Sequence, residues 1–346
     1  MTHNTPLSPR PLRHLADAHR RVLTTAQLRA HGVPAAEQTA RCGPDGPWRE
    51  LLPHVVLLHP GPPTGEERLH GALLYAARAA EPGGVPAQPT AAGTPRTPYP
   101  EAVLTGLAAL ALHGFSTAPA LSGLDRVDVL VPRTRRLRCA GYVRVRRTGD
   151  LPEPRLVTGL PVAPVPRALA DAVADHTDAE TVRRLLAEAV RGGHCEPAAV
   201  VRELTRARLL HRPHVVDAVE ALLAEGRSLA EDRLYRMVRE HGLPDPVWNV
   251  GLRLPGGPHL GGLDAYWPDQ AVAVELDTGA ARPDDGAPWS RYAARREHLE
   301  RLGITVVHVD PRKLRDRPEQ QAAVVRTALM AAGDREPAAH VVVLPR

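Results

Sequence analysis

At 346 residues the chain is longer than one ordinary core organises, and with 43% apolar but only 3% aromatic residues it excludes a disordered polymer and predicts two or three domains built on Leu, Val and Ala. The formal charge of +5 rests almost wholly on Arg, since Lys313 is the one lysine, and it favours acidic partners such as nucleic acid. Scattered Cys42, Cys139 and Cys195 exclude a disulfide framework or zinc-ligand spacing, and no run nears the ~20 apolar residues of a membrane span, so with no apolar core in MTHNTPLSPRPLRH a cytoplasmic protein without a membrane partner is expected.

The first predicted elements are two short helices. Thr24 and Thr25 are suited to cap TAQLRAH, which stops at Gly32, and Pro34 takes the first position of PAAEQTARC. Helix, tight glycine turn and helix is the helix-turn-helix pattern, and WRELLPHVVLLHP supplies two short strands for a wing. Gln38 and Arg41, three apart on the side expected to be exposed, and Arg49 on the wing are the candidate DNA-contacting residues. The same pattern also suits a small packing module.

Next come helices around ERLHGALLYAARAA and EAVLTGLAALALHGF, separated by the Pro- and Gly-dense spacer EPGGVPAQPTAAGTPRTPYP. The alternation in VDVLVP and YVRVRRT marks two half-buried strands. Arg133, Arg135, Arg136, Arg138, Arg144, Arg146 and Arg147 would form a basic hairpin, either tracking phosphates or facing water. The segments PRALADAVADH, AETVRRLLAEAV, EPAAVVRELTRARLL and VVDAVEALLA read as amphipathic helices.

From Ser228 the predicted order is helix, three strands, helix, strand, helix. Ser228 is the expected N-cap of SLAEDRLYRMVREHG, with Glu231 as its capping-box partner. Trp248, Val250, Leu252 and Leu254 alternate onto one side of WNVGLRL and the residue beyond it. In AVAVELD, Val272, Val274 and Leu276 point one way, while Ala271, Ala273, Glu275 and Asp277 point the other. Asp264 in the preceding strand GLDAYW falls beside Glu275 across a short link, and Glu231 shares the packed stripe of Leu234 and Val238. Converging carboxylates repel unless a cation neutralises them. Hard oxygen ligands select Mg²⁺ or Mn²⁺, and an ion on Asp264 and Glu275 would suit phosphodiester hydrolysis. Each acid also has a plain structural reading: Glu231 as a capping residue, and Asp277 as the strand end before TGAARPDDGAP.

These residues resemble the PD-(D/E)XK nuclease superfamily, and within it the very-short-patch-repair (Vsr) endonuclease-like proteins. The DxxxP…ExD core reads Asp264, Pro268, Glu275 and Asp277, followed by the Arg-rich RYAARREHLERLG and the closing ITVVHVDP. The amino-terminal part looks like the winged helix of abortive-infection (AbiEi-type) antitoxins, and the middle like the region joined to it in toxin–antitoxin and defence proteins. The resemblance implies an α+β multidomain chain: a winged helix over residues 1–60, a mixed, mostly helical middle region over 61–226, and a restriction-endonuclease-like α/β domain over 227–346. It further implies double-stranded DNA and a cognate toxin as partners.

The chain departs from the nuclease pattern after Asp277. It continues Thr278, Gly279, Ala280 and Ala281 without the family's histidine, Asp277 occupies the place of the superfamily lysine, and Lys313 lies beyond the later strand. Arg291 or Arg295 would supply positive charge, and Arg295 a phosphate clamp, but arginine does not act as a base. A regulator or antitoxin-like protein with a degenerate endonuclease-like domain is therefore expected, with a Mg²⁺-dependent endonuclease (Glu231, Asp264, Glu275, Asp277 and Arg295 at its centre) or a DNA-free interaction scaffold as alternatives.

Overall fold

The computed structural model describes residues 21–78, 99–277, 288–332 and 341–345, with the side chains of 288–293 left aside. The first residues, nearly all of the Pro- and Gly-dense spacer, and the loop after Asp277 lie outside the described residues. The chain is α+β and divides into two compact units. One comprises residues 1–188 and 203–215, the other 189–202 and 216–346.

In the first unit, β1 (Val22–Thr24), β2 (Arg49–Leu52) and β3 (Val55–Leu57) form an antiparallel sheet in the order β1-β3-β2. Between β1 and β2 run α1 (Thr25–Ala30) and α2 (Ala35–Arg41). Thr24 caps α1 in a full capping box with Gln27, while Pro34 stands as N-cap of α2, one place earlier than expected. Leu23, Leu28, Val33, Trp48 and Val56 fill the small core between helices and sheet. Then α3 (Gly65–Ala77), capped by Thr64 and Glu67, packs against this sheet and against the larger one that follows.

That larger sheet contains β4 (Val103–Thr105), β5 (Val127–Pro132), β6 (Val143–Thr148), β7 (Arg155–Val157) and β8 (Leu160–Val162), in the order β6-β5-β4-β8-β7. Three expectations change here. EAVLTGLAALALHGF is not one helix: β4 occupies its first third and α4 (Gly106–Leu112) follows, because Val103, Leu104 and Thr105 are buried between two neighbouring strands. The hairpin β7–β8 adds strand to a region expected to be mostly helical. And β5 and β6 pair in parallel, so the arginine-rich connection is a crossover and not a hairpin.

Several of the arginines there are engaged within their own unit. Arg144 clasps Asp128 with two hydrogen bonds of 2.5 and 2.7 Å, Arg146 donates to the Asp171 carbonyl at 2.9 Å, and Arg147 donates to the carbonyls of Arg135 and Leu137. Arg133, Arg136, Arg138 and Arg147 are exposed, Arg147 while it holds those carbonyls. The helices α5 (Val165–Val173), α6 (Ala179–Arg191) and α7 (Pro197–Arg206) form where amphipathic periodicity places them.

Ser228 caps nothing, because α8 runs unbroken from Pro213 to Glu240 and merges two expected helices, so the expected boundary at 226/227 falls inside it. Gly226, inside this helix, is a point of close approach: a Cβ there would lie 2.4 Å from Pro197 Cγ. In the second unit β9 (Val247–Arg253), β10 (His259–Trp267) and β11 (Val272–Leu276) form an antiparallel meander. α9 (Pro288–Arg301) leads to β12 (Thr305–Val309), parallel to β11, and β13 (Val342–Pro345) adds to the far edge beside β9. The helices α10 (Pro311–Asp316) and α11 (Pro318–Ala332) complete the unit.

Helices cover both faces of this sheet. Ala230, Leu234, Met237 and Val238 of α8 and Val325 and Leu329 of α11 pack on Val272, Val274 and Leu276. On the other side, Leu299 of α9 packs with Ala271, Ala273 and Tyr266. The expected parity of β11 therefore holds. That of β9 does not: Trp248 joins the first core while Val250 and Leu252 join the second, and Asn249 between them has a left-handed φ of +48°.

Candidate functional site

Asp264 and Glu275 sit on neighbouring strands, one step beyond the paired Ala265 and Val274 and hence across from each other. Both are almost fully buried, 7% and 5% exposed. The strands place them there by parity, on the same side as Tyr266 and Ala273. Two carboxylates in an apolar sheet demand compensation, and it comes from arginines on two different helices, α8 and α9.

Arg227, within one turn of the buried Ala230 of α8, uses one guanidinium for two acids. Its Nε donates to Glu231 Oε1 at 2.8 Å and its Nη2 to Asp264 Oδ1 at 2.7 Å. The other Asp264 oxygen accepts the main-chain N–H of Leu276 at 2.7 Å. Arg295, on α9, donates from Nε to the Leu260 carbonyl at 2.9 Å and from Nη2 to the Gly262 carbonyl at 2.7 Å. The same Nη2 lies 2.7 Å from Glu275 Oε1. This contact neutralises the buried oxygen. His308, the partner of Glu275 in the parallel ladder, brings Nδ1 to 3.8 Å from the second oxygen. Burial pushes the Glu275 carboxyl up from its ordinary value, Arg295 and His308 oppose this, and the Asp264 charge adds to it.

The structure thus brings Asp264, Glu275 and Arg295 together and joins Glu231 to them through Arg227. Asp277 is exposed just past the end of β11, its N–H on the Val309 carbonyl. Arg295 is held by two main-chain carbonyls and the Glu275 carboxylate of its own unit. Arg227 was missed because the apparent cap at Ser228 hid the helix that carries it. Its spacing of four from Glu231 was the available signal. Gly261 is a second missed signal: φ is +105° and a Cβ there would lie 2.5 Å from Arg295 Nε, so only glycine lets the guanidinium reach the strand's carbonyls.

These residues do not fit a divalent ion in this arrangement. Both oxygens of Asp264 and one of Glu231 already accept hydrogen bonds, and the cationic groups at the cluster are guanidiniums. Among the described residues no three His, Cys, Asp or Glu side chains gather at metal-ligand spacing.

In the first unit, Gln38 is corrected from exposed to buried. Its exposure is 6%, and its amide donates to the carbonyls of Val33 at 2.8 Å and Thr25 at 3.3 Å, tying the two short helices together. Arg41 ends α2, ion-paired with Glu37 and stacked 4.6 Å over the Trp48 ring. Arg49 is exposed at the start of β2. No family model and no curated protein matches the chain.

Proposed function

We propose that the chain is a DNA-binding regulator or antitoxin-like protein of the toxin–antitoxin or defence type, with a nuclease-like second unit that does not cleave. The reading helix would be α2, the wing β2–β3, and the bound partner double-stranded DNA, with a cognate toxin as a protein partner in the cytoplasm. The observation that carries this reading is the helix pair at Gly32 beside a short ribbon, with Arg49 exposed on the ribbon and Arg41 at the end of the second helix. Gln38 serves the packing of that module, so contacts to DNA fall to the arginines.

Gel retardation of the chain's own upstream DNA tests the reading. Salt-sensitive binding weakened by Arg49→Ala is the expected outcome. Binding unchanged by Arg49→Ala and Arg41→Ala would remove the named reader, and no retardation at all would leave the interaction-scaffold reading. The competing reading, a metal-dependent endonuclease, draws on the shared face of Asp264 and Glu275. It requires plasmid nicking in Mg²⁺ or Mn²⁺ that disappears in Glu275→Gln.

A further inference from the structure

We propose that Arg227 and Arg295 are the resident cations of the acid cluster in the second unit, and that Arg227 in particular keeps divalent metal out of it. This stands apart from the DNA-binding reading, since it concerns other residues and another measurement. Three carboxyl groups, of Glu231, Asp264 and Glu275, meet two guanidiniums, and each guanidinium touches the acids directly. A divalent ion neutralises such a cluster by taking oxygens at about 2.0–2.6 Å. Arg227 already stands against the two oxygens that face each other across it, Glu231 Oε1 and Asp264 Oδ1, at 2.8 and 2.7 Å. An ion bound to both would overlap the guanidinium, so the cluster takes one or the other.

The arginine is also hard to displace. It does not deprotonate at any pH the fold survives, its planar edge matches the two carboxylates with separate N–H groups, and Asp264 is fixed from behind by the Leu276 N–H. Arg295 is similarly held, by two carbonyls of β10 in addition to Glu275. Gly261 is shaped to admit it. The sheet thus carries internal counter-ions, and the acids serve to anchor α8 and α9 to it within the unit.

The experiment titrates Mn²⁺ alone into the full chain, following free Mn²⁺ by electron paramagnetic resonance and the protein by its melting temperature. The wild-type chain should leave the free-ion signal undiminished and its melting temperature unmoved. Arg227→Ala should melt lower without metal, take up Mn²⁺ stoichiometrically and regain part of the lost melting temperature with it. Arg227→Ala with Asp264→Asn should take up none, and Arg227→Lys, which keeps the charge, should exclude the ion as the wild type does. Uptake by the wild type that is lost in Glu275→Gln would overturn the proposal, as would an Arg227→Ala chain that is folded by circular dichroism yet takes up no Mn²⁺. If Arg227→Ala does not fold even with metal, Arg227→Gln replaces it, and uptake or its failure there decides in the same way.

Discussion

A carboxyl group shut inside a sheet must find positive charge or hold its proton, and Glu275 stands between the two. Burial raises its pKa and the nearby Arg295 and His308 only partly offset that. A raised carboxyl pKa means that the folded state binds more protons than the unfolded one, so this group's contribution is fully favourable below its unfolded value and is lost as pH rises through the folded one. Glu275→Gln should therefore gain stability relative to the wild type as pH rises from about 4 to 8. Thermal melts of both proteins across that range check it, and a constant or shrinking difference would contradict it. Glu188 has the opposite sign. Burial would raise it, but the Thr117 side chain, the main-chain N–H groups of Ser116 and Thr117, at 2.5 and 2.9 Å, and the Ser116 hydroxyl together prevail and hold it at about 2. Its stabilisation is present above the ordinary carboxyl value and lost as pH falls toward 2, so the deficit of Glu188→Gln should be largest near neutrality and vanish in acid. Strand parity made Asp264 and Glu275 legible in the sequence. Their arginine partners were not, because residues 37 and 20 positions away are brought close only by packing.

At the scale of elements, the boundary expected at 226/227 falls inside α8. Gly226 lies within that helix, where Pro197 leaves no room for a side chain. A mid-helix Gly→Ala change ordinarily gains about 1 kcal/mol. Here the overlap with Pro197 should outweigh that gain, since overpacking costs about 1–3 kcal/mol. Gly226→Ala is thus expected to lower stability by roughly 1 kcal/mol in denaturant melts, and Pro197→Ala should restore it. At the other end of the chain the Thr24 box with Gln27 satisfies the first N–H groups of α1. Thr24→Ala should cost about 1 kcal/mol and loosen the helix pair, read as faster amide exchange at Gln27 and Leu28. The Thr24 cap, the amphipathic helices and the three-strand meander were readable from local spacing, whereas the apparent cap at Ser228 was not one. Strand β4 was not, because a run as apolar as VLTGLAALAL fits a strand or a helix, and burial between β5 and β8 decided the matter.

For the molecule as a whole, the excess of arginine over acid suits a polyanionic partner, but many of those arginines are spent internally. Arg144, Arg146 and Arg147 bind acids and carbonyls of their own unit, and Arg227 and Arg295 do the same in theirs. The salt dependence of DNA binding should therefore reflect the few exposed arginines of the amino-terminal module, with Arg49→Ala reducing the slope of log K against log salt by about 1 and Arg146→Ala leaving the slope unchanged if the chain still folds. Equal losses of slope from both would show that binding is spread over the surface. Composition, the amphipathic helices of the middle region and the side of β11 on which its acids fall were determined by the sequence alone, because each depends on neighbours within a turn or two of backbone, whereas the left-handed Asn249 broke the expected alternation of β9. Which arginine reaches which acid, whether Gln38 faces water, and whether β5 and β6 run together or opposed were decided only by the tertiary structure, since they depend on distances between segments far apart in the chain.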